Sequence, residues 1–150
     1  MRRIPPPILL VACVALVFLG QFYFPQFKLA FGPVQIVIAA FLLLGGMFVA
    51  RAAGQQFSQA GTTINPISID KASSLVTDGV FAYSRNPMYV ALLAILLAIV
   101  VFFGFWPGLI LVIGLFIYLS IWQIAPEEKV LAEKFGQAYA DYRARVRRWI

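Results

Sequence analysis

Gly79-Val80-Phe81-Ala82-Tyr83-Ser84-Arg85-Asn86-Pro87-Met88-Tyr89 is the one stretch where a polar, turn-rich segment carrying an arginine runs directly into a long apolar run. From Met88 to Ile124 the chain is almost purely apolar, too long for a single membrane crossing. Gly104 and Trp106-Pro107-Gly108 divide that run into two helices joined by a tight hairpin, since proline and glycine interrupt a helix for opposite backbone reasons. Working outward, the chain before the stretch is polar from Ala52 to Ser84, with Gly54, Gly61, Asn65-Pro66 and Asp78-Gly79 as turn signals. Before that lie two more apolar runs, Ile8 to Phe24 and Val34 to Ala50, separated by Pro25, Lys28 and Gly32-Pro33.

Composition agrees with lipid as the solvent. The 150 residues are 62% hydrophobic and only 12% charged, with mean hydropathy +0.88, whereas about a quarter of a soluble domain is charged. The reading is all-α: a single polytopic membrane domain, 1–150. It has about four transmembrane helices (about 8–24, 34–50, 88–103 and 106–124), a loop at 52–84 and a C-terminal amphipathic helix at 126–148. In that last helix Leu131, Phe135, Ala138, Tyr139, Tyr142, Val146 and Trp149 recur at helical spacing. Lys129, Lys134, Asp141, Arg143, Arg147 and Arg148 fall elsewhere. Met1-Arg2-Arg3 before an apolar run superficially resembles a secretion signal, but no small-residue cleavage site follows it. The run also ends in the interfacial aromatics Phe22-Tyr23-Phe24, so it is kept as the first span.

Charge orients the spans. With four crossings, Arg2, Arg3, Arg51, Lys71, Arg85, Lys129, Lys134, Arg143, Arg145, Arg147 and Arg148 share one side, and Lys28 alone stands opposite. The positive-inside rule makes that side cytoplasmic, with both termini there, in an inner (plasma) membrane. It also puts Arg85 and the Glu127-Glu128 pair on one face. The basic excess is thereby explained by orientation, and nucleic acid is not an expected partner. Cys13 is the single cysteine, so no intrachain disulfide forms. There is no histidine, which excludes imidazole bases, Ser-His-Asp triads and histidine-held metals. None of the four runs contains Asp, Glu, Lys or Arg, which weighs against a small proton-coupled transporter.

The chemistry-bearing residues each have a plain structural alternative. Pro87 suits the first turn of the third span, Asn86 its N-cap, and Arg85 an anchor in anionic lipid. The same helix start with an arginine beside it can instead bind a carboxylate or phosphate. Glu127 and Glu128, following Pro126, are favoured by the helix dipole in a first turn, or they can face a cationic ligand. Tyr83, Tyr89, Tyr139 and Tyr142 are belt or packing residues, or flat surfaces for a heterocycle. Thr62-Thr63-Ile64-Asn65-Pro66 reads as a turn, and Asp70 and Lys71 as solvated loop residues.

Taken together, Thr77 through Tyr89, a helical hairpin, then Pro126-Glu127-Glu128 and Phe135-Gly136-Gln137-Ala138-Tyr139-Ala140-Asp141-Tyr142-Arg143 resemble the integral-membrane methyltransferases. That family includes isoprenylcysteine carboxyl methyltransferases and phospholipid N-methyltransferases. The resemblance covers roughly Gly61 onward in order and spacing; the first two spans match only in being apolar. Two departures stand out: Asn86-Pro87 where many members have His-Pro, and Val80 and Ala82 where Pro and Arg are common.

The resemblance implies S-adenosylmethionine as cofactor, leaving as S-adenosylhomocysteine. Tyr83, Arg85, Asn86, Pro87 and Tyr89 would form one wall and Glu127 and Glu128 the other. The implied function is methyl transfer to a lipid-like acceptor, such as an isoprenylcysteine-type carboxylate, at the cytoplasmic face, among membrane lipids. Arg85 and Glu128 are the expected catalytic pair, Glu128 as the group assisting any proton removal. A phosphatidylethanolamine-type N-methyltransferase is the nearest alternative, and a silent membrane scaffold or four-span transporter the alternatives from other classes.

Overall fold

The computed structural model describes residues 4–61 and 74–150. Arg2, Arg3, the Thr62–Pro66 turn, Asp70 and Lys71 lie outside the described residues. The elements are α1 (Pro6–Tyr23), a 3-10 turn (Pro25–Phe27), α2 (Pro33–Gln59), a second 3-10 turn (Gly79–Ala82), α3 (Pro87–Phe103), α4 (Gly108–Tyr118), a π-turn (Leu119–Ile124) and α5 (Ala125–Arg145). Each of α1, α2 and α3 starts with proline in its first turn, where the missing N–H has no intrahelical partner to lose. The fold is all-α, as its composition implies.

Helix α3 is the hub, packing on α1, α2 and α4. Its contact with α2 is the most extensive in the molecule, and small residues explain the close approach. On α2, Ala39, Gly46 and Ala53 are buried at seven-residue intervals; on α3, Ala91 and Ala98 repeat the spacing. A Cβ at Gly46 would stand 3.2 Å from the Ala91 carbonyl oxygen, so the glycine sets the separation of the two helices. The other face of α2 exposes Val37, Phe41, Leu44 and Phe48, again at helical spacing. Such a contiguous apolar stripe is what a helix turns to lipid. Below α3, Val17, Leu96, Val100, Phe105, Leu115 and Leu119 form the buried core.

The two short connections meet at one end of the bundle. Leu29 N–H donates to Gly104 O at 2.8 Å, Gln35 Nε2 donates to Phe102 O at 2.9 Å, and Lys28 bridges Phe105. Gly104 has φ +63°, and a Cβ there would collide with the Leu29 carbonyl. The hairpin glycine is therefore fixed by both backbone shape and space.

Three boundaries differ from the sequence reading. Helix α2 does not stop at Ala50 but runs eight residues beyond Arg51, to Gln59. Ala52, Ala53, Gln55 and Gln56 are good helix formers, and Gly54 alone costs only about 1 kcal/mol, so the backbone ladder continues past the apolar run. The fourth span begins at Gly108, with Trp106 and Pro107 in the turn, and its helix does not end at Ile124. Helix α4, the π-turn and the first part of α5 follow one another without a break from Gly108 to Phe135. Pro126 offers no N–H to the carbonyl four residues earlier, and its ring crowds that carbonyl. Widening the preceding turn to π geometry lets the helix pass the proline without breaking.

The tail helix is also not one regular face over 126–148. Gly136 adopts φ +50°, ψ −122°, and the helix ends at Arg145 with Val146 extended. The kink resets the helical phase, so Tyr139 and Tyr142 are buried while Ala138 is exposed. Helix α5 thus folds back over the start of α3 rather than presenting a single stripe.

Candidate functional site

The end of the bundle opposite Lys28 gathers the first turn of α1, the last turns of α2, the Gly79–Ala82 turn, the start of α3 and α5 around a cavity of about 300 Å³. That volume lies at the lower end of the range for small-molecule pockets. Arg85, Asn86, Pro87, Tyr89, Glu127 and Glu128 all line it, and so do Tyr139 and Tyr142. Tyr83 does not: it is 81% exposed and turned to the outside. The 3-10 turn makes this difference, burying Phe81 instead, edge-on against Phe57 of α2 at 5.0 Å between ring centroids. Gly79 permits the turn, at φ +56° and with the Gln56 amide where a Cβ would sit. Gln56 Nε2 in turn donates to Asp78 O at 2.9 Å, which moors the loop to α2.

The polar corner of the cavity holds two carboxylates in different surroundings. Glu127 Oε1 accepts from Tyr89 Oη at 2.8 Å and from Gln123 Nε2. Gln123 is only 1% exposed and comes from the π-turn, one helical turn before Glu127. Glu128 lies between two guanidinium groups. Arg85 Nη2 is 3.0 Å from Oε1, while Arg148 reaches Oε1 through Nε at 3.2 Å and Oε2 through Nη2 at 2.5 Å. The Arg85 side chain is only 8% exposed. Among the described residues its Nε and Nη1 are buried with no hydrogen-bond partner. Two charged donors in that state cost free energy unless something accepts from them.

Residues 146–149 close the corner from outside. Arg85 N–H donates to Arg147 O at 3.0 Å, Asn86 Nδ2 donates to Arg148 O at 2.9 Å, and Trp149 packs on Phe116 with ring centroids 4.8 Å apart. Asn86 therefore occupies the N-cap position of α3 without a side-chain capping bond, its Nδ2 turned to the Arg148 carbonyl. Tyr142 Oη donates to Phe81 O at 2.7 Å, tying α5 to the loop. Burial pushes the Tyr142 hydroxyl well above the usual tyrosine range. Burial and then the Glu128 charge also raise Tyr139, so both remain neutral near the site.

The sequence reading brought Arg85 and Glu128 to one face, and the fold sets them in contact. It missed Arg148, one of six basic residues in the tail, whose partner depends on the chain leaving the helix at Val146. It also missed Gln123, although an amide at the end of an apolar run, four residues before a glutamate, is a readable signal.

The cavity is apolar away from this corner, where Ala50 of α2 and Ala91, Leu92 and Ile95 of α3 line it. The site thus joins a charged, donor-rich end to an apolar slot between two spans. That arrangement can hold an amphiphile beside a small zwitterion.

Comparison with known proteins agrees in kind. Residues 34–138 match the family model described as phospholipid methyltransferase. The chain is 32% identical over 135 residues to the protein-S-isoprenylcysteine O-methyltransferase of Schizosaccharomyces pombe, across 82% of this chain and 52% of that one. It therefore spans about half the length of this curated relative. It is also 42% identical over 66 residues to an uncharacterized protein of Haemophilus influenzae, across 42% of this chain and the whole of the other. No solved structure matches it.

Proposed function

The chain belongs to the phospholipid methyltransferase family of integral membrane proteins, and from that premise we propose that it transfers a methyl group from S-adenosylmethionine to a lipid-like acceptor. The observation that carries the reading is Arg85, which lines a largely apolar cavity and has two buried guanidinium nitrogens with no hydrogen-bond partner among the described residues. An amino-acid carboxylate is the ligand group that would satisfy them. Glu127 supplies negative charge for an ammonium or sulfonium, and Phe57, Tyr139 and Tyr142 supply flat surface for an adenine ring.

The cofactor, when bound, supplies an electrophilic methyl on sulfur. The chain's own residues do the rest by alignment and exclusion of water. Arg85 fixes the amino-acid end, with Glu128 as its anchor. Tyr89 and Gln123 hold the Glu127 carboxylate in place. The slot lined by Ala50, Ala91, Leu92 and Ile95 takes the apolar part of the acceptor. An isoprenylcysteine-type carboxylate or a thiolate attacks as it stands, needing no base, and this suits a site without histidine. The family's description favours a second acceptor, a phospholipid amine. An amine must first lose a proton, and Glu127 and Glu128 are the carboxylates at hand. The site end carries Arg51 and the basic residues of α5 while Lys28 lies at the far end, so the positive-inside rule supports a cytoplasmic site.

The test is to incubate detergent-solubilised protein with methyl-labelled S-adenosylmethionine and a total lipid extract. Label should enter the lipid phase with the wild type and not with Arg85→Ala, and the labelled product identifies the acceptor. Folded protein that neither labels lipid nor melts higher with S-adenosylhomocysteine would leave a scaffold or transporter as the better reading.

A further inference from the structure

We infer that Arg148 is a positioning residue of the ligand site: by holding the outer side of Glu128, it keeps Arg85 free for an anionic ligand group. This rests on the function proposed above and goes beyond it, because Arg148 does not line the cavity. Its side chain is 37% exposed and approaches Glu128 from outside.

The argument is one of competition for a carboxylate. An arginine and a glutamate left to themselves prefer a two-pronged pair, with two guanidinium nitrogens on two oxygens. Here Arg85 reaches Glu128 through Nη2 alone, onto Oε1. The two-pronged pairing belongs to Arg148, whose Nε and Nη2 take Oε1 and Oε2. With Arg148 lying across both oxygens, Arg85 cannot take the two-pronged geometry on the same carboxylate, and its Nε and Nη1 stay unpartnered among the described residues. Remove Arg148, and the two-oxygen edge of Glu128 is open to a two-pronged pairing with Arg85. The arginine then closes on Glu128 and withdraws from the cavity. The backbone is arranged to keep Arg148 in reach: Arg85 N–H and Asn86 Nδ2 hold the carbonyls of Arg147 and Arg148, and Trp149 is seated on Phe116.

The test compares two ligands that share the nucleoside thioether and differ in the amino-acid end that Arg85 is proposed to hold. S-adenosylhomocysteine carries the amino-acid carboxylate; 5′-methylthioadenosine has the same nucleoside thioether without it. Binding of each to the detergent-solubilised full chain is measured by calorimetry for wild type, Arg148→Ala, Arg148→Lys, Arg148→Gln, Arg85→Ala and the Arg85→Ala/Arg148→Ala pair. Arg148→Ala should weaken S-adenosylhomocysteine about tenfold or more, the scale of a lost charge-assisted hydrogen bond. It should leave methylthioadenosine unchanged to within about twofold. Lysine should restore part of the loss and glutamine none, and in the Arg85→Ala background Arg148→Ala should add nothing. Equal losses on both ligands would reduce Arg148 to a structural clasp, and no loss on S-adenosylhomocysteine would make it a spectator; either overturns the inference alone. Wild-type protein that is folded yet binds neither ligand overturns the proposed function, and the inference with it.

Discussion

Among the described residues, the Arg85 side chain is buried, paired through one nitrogen and left with two others without a partner. Arg85→Ala should weaken S-adenosylhomocysteine binding by about 1.5–3 kcal/mol, the range for hydrogen bonds to charged groups, measured as a dissociation constant. An unchanged constant would return the residue to the role of lipid anchor. Tyr142 makes a different kind of contribution, a neutral hydroxyl donating to Phe81 O. Its folded-state pKa is raised by burial, so the stability it contributes is whole below the unfolded tyrosine value of about 10 and is lost as pH rises beyond it. Tyr142→Phe should cost about 1–3 kcal/mol at neutral pH, because Phe81 O loses its donor. It should also flatten the alkaline fall in melting temperature; a mutant as steeply pH-sensitive as the wild type would contradict this. Asn86 was legible as a helix-start residue, but its partner was not. Nothing near it in sequence announces the Arg148 carbonyl.

Among the elements, α2 and α3 are where sequence and packing correspond most closely. The apolar runs located them, while the seven-residue spacing of Ala39, Gly46 and Ala53 decides how closely they approach. Gly46→Leu would overpack that seam against Ala91 and Ile95. The expected cost is about 1–3 kcal/mol, read as a lower melting temperature, together with weaker ligand binding, because the cavity's apolar wall is built from the same two helices. A mutant of unchanged stability would mean the helices are held apart by something else. The π-turn was not legible. Pro126 after an apolar run reads as a helix start, because local rules place proline in first turns. Continuing the helix through it requires tertiary support, here the burial of Leu119, Gln123 and Ile124. The length of α2 beyond Ala50 escaped for the converse reason: apolar runs measure the greasy part of a helix, not the helix.

At the scale of the whole molecule, the asymmetry of charge and the position of the cavity make one statement about direction. In a Cys13→Ser background, Lys28→Cys in intact cells should react with a membrane-impermeant maleimide, and Arg51→Cys should react only after permeabilisation. The reverse pattern would place the cavity on the outer face. The convergence of Arg85 with Glu128 could be foreseen at this scale because an even number of crossings returns the chain to the same side, which needs only a count of apolar runs. The geometry of the corner could not, since it depends on where Gly136 bends α5 and where Val146 leaves it.

The length of α3 has a consequence for how a lipid meets this protein. Its 17 residues rise about 25 Å at 1.5 Å each, short of the roughly 30 Å of a bilayer's hydrocarbon. In the proposed orientation, Arg85 and Tyr89, at its mouth, would sit beneath the plane where headgroups meet water. Longer neighbours such as α2 form the rim of the well. An acceptor whose reacting atom rides at glycerol depth arrives already level with the corner, whereas a water-borne one must first descend. On the proposed function, the membrane itself would thereby take part in choosing what is methylated.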